Sequence, residues 1–212
     1  MNDELVFYTN PMSRGRIVRW MLEEVGRPYR TEILEYGAMK GPDYLAINPM
    51  GKVPALVHGD TVVTECAAIC CYLADAFPDT RLAPRPDDRL RGPYYRWLFF
   101  AAGPLEAAAT NKAMGFEVPP ERKAMVGYGS LADVMSTLEA ALSGRSYLVD
   151  DRFSAADLYV GAHLGWGMSF GTVEKRPVFE RYAEHIGARP AAVRAREIDD
   201  ALAASKEQVV SG

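Results

Sequence analysis

Strand signals in this chain nearly vanish after Pro78. Pro78, Pro84 and Pro86 fall within nine residues. No helix or strand interior tolerates that density, because each ring removes a backbone donor and fixes φ. Ahead of the break lie short apolar runs bounded by turn residues. Behind it lies almost only helical periodicity. A fold for this chain must join a sheet-bearing part to a helix-only part. The expected division is residues 1–78, a linker over 79–86, and residues 87–212. For a chain of 212 residues, both parts have ordinary domain size.

The first part begins with an apolar run over residues 5–8 that ends at Asn10-Pro11, a strand followed by a turn. Ile17, Met21 and Val25 then form a helical stripe, and Gly26 supplies its stop. A second strand is expected over residues 29–34 and a short helix or turn over 42–46. Two further strands, 53–57 and 61–63, are joined through His58-Gly59-Asp60, a hairpin signal. A helix over 65–77 follows. A β-α-β unit gives two parallel strands with a right-handed crossover, and the hairpin adds antiparallel ones. The expected fold is therefore a mixed four-stranded sheet of the thioredoxin-like α/β class, followed by an all-α domain.

In the second part, helices are expected over residues 87–114, 121–142, 154–170, 177–186 and 190–204. Gly103-Pro104 should kink the first. Phe153-Ser154-Ala155-Ala156-Asp157-Leu158 reads as a capping box inside a hydrophobic staple. Gly161, Gly165 and Gly167 on that helix cost propensity, so another backbone is expected to pack closely there. Fraying is expected only near Gly212.

Composition excludes several functions. The formal net charge of −4 argues against nucleic acid, which needs a basic face. No apolar run approaches the roughly 18 residues of a membrane span. Residues 1–4 carry two acids and no base, unlike a signal peptide. The three cysteines all lie between Cys66 and Cys71, too close for a disulfide framework, which points to the cytoplasm. His58, His163 and His185 are scattered, and no metal site is expected.

The most informative stretch is Asn48-Pro49-Met50-Gly51-Lys52-Val53-Pro54-Ala55-Leu56, followed by Thr64-Glu65-Cys66-Ala67-Ala68-Ile69. A proline at a strand start needs no ladder donor. With a cis bond at Pro54, the Val53 backbone can face an extended peptide. Glu65 and Cys66 open a helix directly after a strand, and a helix N-terminus suits a carboxylate. Lys52 can meet a second anion. Such a site fits a short peptide with a carboxylate at each end.

These segments and the capping box at residues 153–158, in this order and spacing, resemble the cytosolic glutathione S-transferase family over essentially the whole chain. The resemblance implies glutathione as co-substrate, a small hydrophobic electrophile as its partner, and a homodimer. It implies that Val53, beside cis Pro54, binds the cysteinyl backbone. Glu65 and the N–H of Cys66 hold the γ-glutamyl end, and Cys66 stands where the family usually has serine. Lys52 and Lys40 are implied for the glycyl carboxylate.

Thiol activation is expected on the turn from Tyr8 to Arg16. Ser13 is the candidate on the pattern of the serine-type, bacterial classes, with Tyr8 and Asn10 as alternates. No cysteine lies on the turn, which argues against the cysteine-type classes. Residues 1–80 hold seven Arg/Lys and eleven Asp/Glu. Yet Arg14, Arg16, Lys40 and Lys52 fall on segments expected to line one cleft, where positive potential favours a thiolate. The electrophile is expected against Tyr94, Trp97, Phe116, Trp166 and Phe170, since such pockets are mostly apolar. Glutathione-dependent isomerisation, dehalogenation, ether cleavage or peroxide reduction stay open as reactions. So does a binding module that has lost catalysis.

Overall fold

The computed structural model describes residues 3–210. The fraying expected at Gly212 lies outside the described residues. Contacts divide the chain into two compact units: Met1–Thr80 with Arg189–Gly212, and Arg81–Ala188.

In the first unit, β1 (Leu5–Thr9), α1 (Gly15–Val25) and β2 (Arg30–Ile33) form the β-α-β segment. A short α2 (Pro42–Leu45) follows, then β3 (Ala55–His58), β4 (Thr61–Thr64) and α3 (Cys66–Ala76). The strand order is β2-β1-β3-β4. β1 runs parallel to β2 and antiparallel to β3, and β3 is antiparallel to β4. The mixed four-stranded sheet agrees with the sequence. Leu5, Val6 and Phe7 are buried because β1 is central, and burying each such side chain contributes about 1.5–3 kcal/mol. Gly26 closes α1 in the left-handed region, and its N–H donates to the Leu22 carbonyl. The last helix, α9 (Pro190–Val210), packs on α1 and so groups with the sheet rather than with the other helices.

The second unit is helical: α4 (Arg91–Phe100), α5 (Glu106–Ala113), α6 (Leu131–Leu142), α7 (Ala155–Ser169) and α8 (Pro177–Gly187). The interruption expected at Gly103-Pro104 is a single wide turn, Ala101–Leu105, where Pro104 has no N–H to give to an ordinary helical ladder. The single helix expected over 121–142 is in fact two pieces. A 3₁₀ segment, Pro120–Met125, is separated from α6 by Gly129 at φ 65°, and Ser130 caps α6 by accepting from the Asp133 N–H.

The capping box on α7 is complete. The Ser154 hydroxyl accepts from the N3 backbone, and the Asp157 carboxylate accepts from the Ser154 N–H at 2.9 Å. Close backbone packing at the α7 glycines is not what occurs. A Cβ on Gly161 would sit 1.8 Å from Ile186 Cδ1, and one on Gly167 would sit 2.3 Å from Val173 Cγ2. Side chains, not a backbone, fill those notches, and Gly165 faces open space. Among the described residues, no helix is long and apolar enough to cross a membrane.

Candidate active site

Strand register brings three segments together at one end of the strands. Tyr8 pairs with Ala55, and Ala55 pairs with Thr64. The turn after β1, the residues before β3 and the residues after β4 therefore leave the sheet side by side. A contact between the outer two segments follows: the Cys66 thiol donates to the Arg14 carbonyl at 3.6 Å.

The first segment is the turn into α1. The Asn10 amide donates to the Leu34 carbonyl at 2.8 Å, and its oxygen accepts from the Met12 N–H at 2.9 Å. Both ends of Asn10 are thus committed to holding the turn. The Ser13 hydroxyl donates to the Asn10 carbonyl at 2.7 Å and accepts from the Gly15 N–H at 3.0 Å. The Asn10 carbonyl also receives the Ser13 N–H at 3.1 Å. It therefore keeps a donor if the hydroxyl rotates away, at a cost of about 1 kcal/mol. Gly15 is required here, because a Cβ would lie 1.9 Å from Thr9 Oγ1. Arg14 is exposed. Arg16 is engaged by the Pro11 carbonyl and by Asp200 on α9, so its charge is largely neutralised. The Tyr8 ring is half-buried and packs against Tyr44 at 5.7 Å.

The second segment centres on Lys52-Val53-Pro54. The Val53–Pro54 bond is cis. The Lys52 carbonyl accepts from the Tyr44 hydroxyl and from the Asn48 amide, each at 2.7 Å. Burial pushes the Tyr44 phenol up to about 12, so it stays a donor across the physiological range. Asn48 also accepts from the Met50 N–H at 3.1 Å. Sequence reasoning passed over Tyr44 and treated Asn48 only as part of a motif; nothing in periodicity signals that both grip one carbonyl. Among the described residues, no hydrogen bond holds the Val53 N–H or C=O. Lys40 lies beside this loop, and its ammonium donates to the Met50 carbonyl at 2.7 Å. Lys52 is exposed and makes no ion pair among the described residues.

The third segment is the start of α3. Glu65 sits at its N-cap with φ 69° and ψ 123°, a backbone state that L-residues rarely adopt. Its carboxylate is exposed and has no partner among the described residues. Cys66 is buried at the first position of the helix. Deeper in α3, burial pushes the Cys70 thiol well up, with the neighbouring Cys66 and Cys71 adding to the effect; Cys70 behaves as a small hydrophobe. Among the described residues, no cluster of three or more His, Cys, Asp or Glu could hold a metal ion.

The expected electrophile residues divide by exposure. Tyr94 and Trp97 are buried inside the helical unit. Phe116 and Phe170 are 56% and 78% exposed, and Trp166 is half-buried with its ring 6.4 Å from that of Phe170.

Comparison with known proteins agrees with this geometry. Residues 12–76 match the model of the glutathione S-transferase N-terminal domain, and residues 105–190 match that of the C-terminal domain. The chain belongs to the glutathione S-transferase family. It is 30% identical over 201 residues to glutathione S-transferase 3 of Zea mays, which covers 88% of this chain and 90% of that protein. Among solved structures, a glutathione transferase of Methylococcus capsulatus is similar at 30% identity and a TM-score of 0.77, covering 92% of this chain and 98% of the other. A sphingomonad glutathione S-transferase complexed with glutathione is similar at 28% identity and a TM-score of 0.76, with the same coverage. The transferase class and the thioredoxin-like fold expected from the sequence both stand.

Proposed function

We propose that the end of the sheet built from Ser13, Val53-Pro54 and Glu65-Cys66 binds glutathione and activates its thiol for attack on a hydrophobic electrophile. The observation that carries this reading is the set of unused groups at that end of the sheet: the Val53 N–H and C=O, the Glu65 carboxylate and the Lys52 ammonium. They match a tripeptide group by group. Val53 takes the cysteinyl backbone as an added strand takes a sheet edge. Glu65 meets the γ-glutamyl ammonium, and the N-terminus of α3 meets its carboxylate. Cys66 needs only its backbone N–H for this. Lys52, with Lys40 beside it, meets the glycyl carboxylate.

Ser13 is the group assigned to the sulfur. Both ends of Asn10 are spent on the turn, and the Tyr8 ring lies against Tyr44. The Ser13 hydroxyl can turn its single proton from the Asn10 carbonyl to a thiolate. The start of α1 adds its positive dipole end, and Arg14 and Arg16 lie on the same turn. Phe116, Trp166 and Phe170 are assigned to the apolar part of the electrophile, with Tyr94 and Trp97 as buried support. A cytoplasmic homodimer is part of the same reading.

The test is Ser13→Ala. Turnover with a standard aryl halide should fall about 10–100-fold, while glutathione affinity by calorimetry stays nearly the same. Undiminished turnover would return Ser13 to a purely capping role. Failure of the unmodified protein to bind glutathione would sink the whole assignment.

A further inference from the structure

A pocket of about 310 Å³ lies entirely within the helical unit, between the end of α6 and one face of α8. Val178, Arg181, Tyr182 and His185 line it from α8. Their spacing of three, four and seven residues places them on one helix face. Leu142, Arg145 and Ser146 line it from the segment that leaves α6. None of the lining residues is acidic.

The charge balance of this pocket sets it apart. Several other arginines of the chain are paired with carboxylates. Arg176, at the start of α8, pairs with Glu139 at 2.6 Å and with Glu174 at 3.1 Å. A second, larger cavity holds Arg27 and Arg30, but Arg27 pairs with Asp79 and Arg30 with Glu4 and Glu32. Arg145 and Arg181 are exposed and have no carboxylate partner among the described residues. Two full positive charges therefore face one small cavity. The C-terminal end of α6 brings about half a negative charge nearby. Part of that is met locally, because the Arg145 N–H donates to the Leu142 carbonyl. The lining residues themselves carry two formal positive charges and no formal negative one.

The remaining walls are partly apolar. The Tyr182 hydroxyl is turned away, donating to Asp157 at 2.7 Å, so the ring and not the hydroxyl faces the cavity. Leu142 and Val178 complete the apolar floor. The His185 ring packs against Tyr147 at 5.4 Å, and either neutral tautomer has one N–H to donate. Ser146 adds a hydroxyl. Two guanidinium groups over an apolar floor match a small organic anion: the forked donors suit phosphate or carboxylate oxygens, and the floor suits a ring or short alkyl arm. The volume lies at the lower end for ligand pockets, which limits the arm to about one ring.

We propose that this pocket is a second ligand site of the protein, one that takes a small aryl phosphate or aryl carboxylate. It uses no residue of the proposed glutathione site and does not depend on that reading. The test is calorimetric titration of the full chain with phenyl phosphate, with glutathione held at saturation. One saturable site is expected. Its affinity should fall several-fold as salt rises from about 0.05 to 0.5 M. Affinity should drop at least about tenfold in the Arg145→Gln/Arg181→Gln double variant, since two charge-assisted contacts are lost. Both arginines are exposed, so thermal unfolding and conjugation activity should match the unmodified protein. Inorganic phosphate should bind more weakly than phenyl phosphate, because it leaves the floor bare. No saturable binding, unchanged affinity in the double variant, or phosphate binding as tight as phenyl phosphate would each overturn the proposal.

Discussion

The guanidinium Nε of Arg19 on α1 lies 2.7 Å from Asp199 Oδ1 on α9, and both side chains are almost fully removed from solvent, at 2% and 1% exposure. The same guanidinium donates to the Tyr29 hydroxyl at 3.2 Å and to Thr31 Oγ1 at 3.3 Å, and stands 5.2 Å from the Phe7 ring centre. One side chain thus ties α1 to both parallel strands and to the last helix. Burial pushes the Asp199 carboxyl up, and Arg19 works against that. Arg19 Nη2 and Asp199 Oδ2 find no hydrogen-bond partner among the described residues, so the pair is only partly compensated. Removing one partner leaves a buried charge alone, whereas replacing both with apolar groups removes the problem. Asp199→Leu should therefore lower stability by about 3–5 kcal/mol. The Arg19→Met/Asp199→Leu double variant should lose clearly less than the single one. Urea unfolding followed by circular dichroism measures both; a double variant worse than the single would show that the pair is a net source of stability.

A second prediction concerns the strained backbone at Glu65. Its φ of 69° and ψ of 123° carry a cost of about 1–3 kcal/mol, and the chain bears it where the carboxylate meets the proposed γ-glutamyl ammonium. Glycine adopts this state freely but adds unfolded-state entropy, which takes back about 0.5–1 kcal/mol. Glu65→Gly should stabilise the protein by roughly 1 kcal/mol while weakening glutathione at least tenfold. Glu65→Ala should weaken glutathione equally with no gain in stability, because alanine keeps the strain. Thermal unfolding and calorimetry on the two variants separate the effects. Equal stability of the two would remove backbone strain from the account.

Local rules carried the sequence reading wherever the signal was local. The β1-α1-β2 segment followed from the Ile17, Met21 and Val25 stripe and the Gly26 stop. The capping box at Ser154 and Asp157 followed from four adjacent residues, and the hairpin from a turn between two apolar runs. What stayed hidden joins residues far apart in the chain. Nothing local in the sequence marks Asp199, Asp200 and Arg194, which meet Arg19, Arg16 and Glu23 on α1. Periodicity placed Tyr94 on a helical segment without saying that packing would bury it, and Phe116, beyond the end of that segment, carried no signal of its exposure. At the candidate site, Val53, Glu65 and Ser13 were legible as motif positions. The hold of Tyr44 and Asn48 on the Lys52 carbonyl was not, because hydrogen bonds from buried polar side chains leave no periodic trace.

Two glycines one turn apart on α7 should respond oppositely to the same substitution. At Gly165 a Cβ meets nothing within 4 Å. Gly165→Ala should therefore stabilise the protein by about 0.5–1 kcal/mol through helix propensity. At Gly161 a Cβ would overlap Ile186 Cδ1 at 1.8 Å and crowd Cγ1 at 3.0 Å, and Ile186 is itself buried. Overpacking of this kind costs about 1–3 kcal/mol, more than propensity returns. Gly161→Ala should destabilise, and adding Ile186→Val, which deletes the overlapping Cδ1, should recover part of the loss. Chemical denaturation of the three variants checks the signs, and a stabilising Gly161→Ala would contradict the α7–α8 packing described above.

Asp157 makes stability depend on pH in a direction that its hydrogen bonds alone would not suggest. Oδ1 accepts from the Leu148 N–H and the Tyr182 hydroxyl, each at 2.7 Å, and Oδ2 accepts from the Ser154 N–H at 2.9 Å and the Ser154 hydroxyl at 2.8 Å. These four donors favour the carboxylate, but burial outweighs them and raises its pKa above the ordinary 3.8. Between that value and the native one, the folded chain holds a proton that the unfolded chain has lost. Stability from this group therefore falls as pH rises through the window and is level above it. Asp157→Asn removes the titration. It also turns an amide N–H₂ toward the Ser154 donors, leaving about 1–3 kcal/mol of unsatisfied polar groups. The stability advantage of the unmodified protein over Asp157→Asn should be largest near pH 3.8 and shrink as pH rises above it, as read by urea unfolding at a series of pH values. An advantage that instead grows with pH would mean the four donors prevail over burial and hold the native carboxyl below its ordinary value.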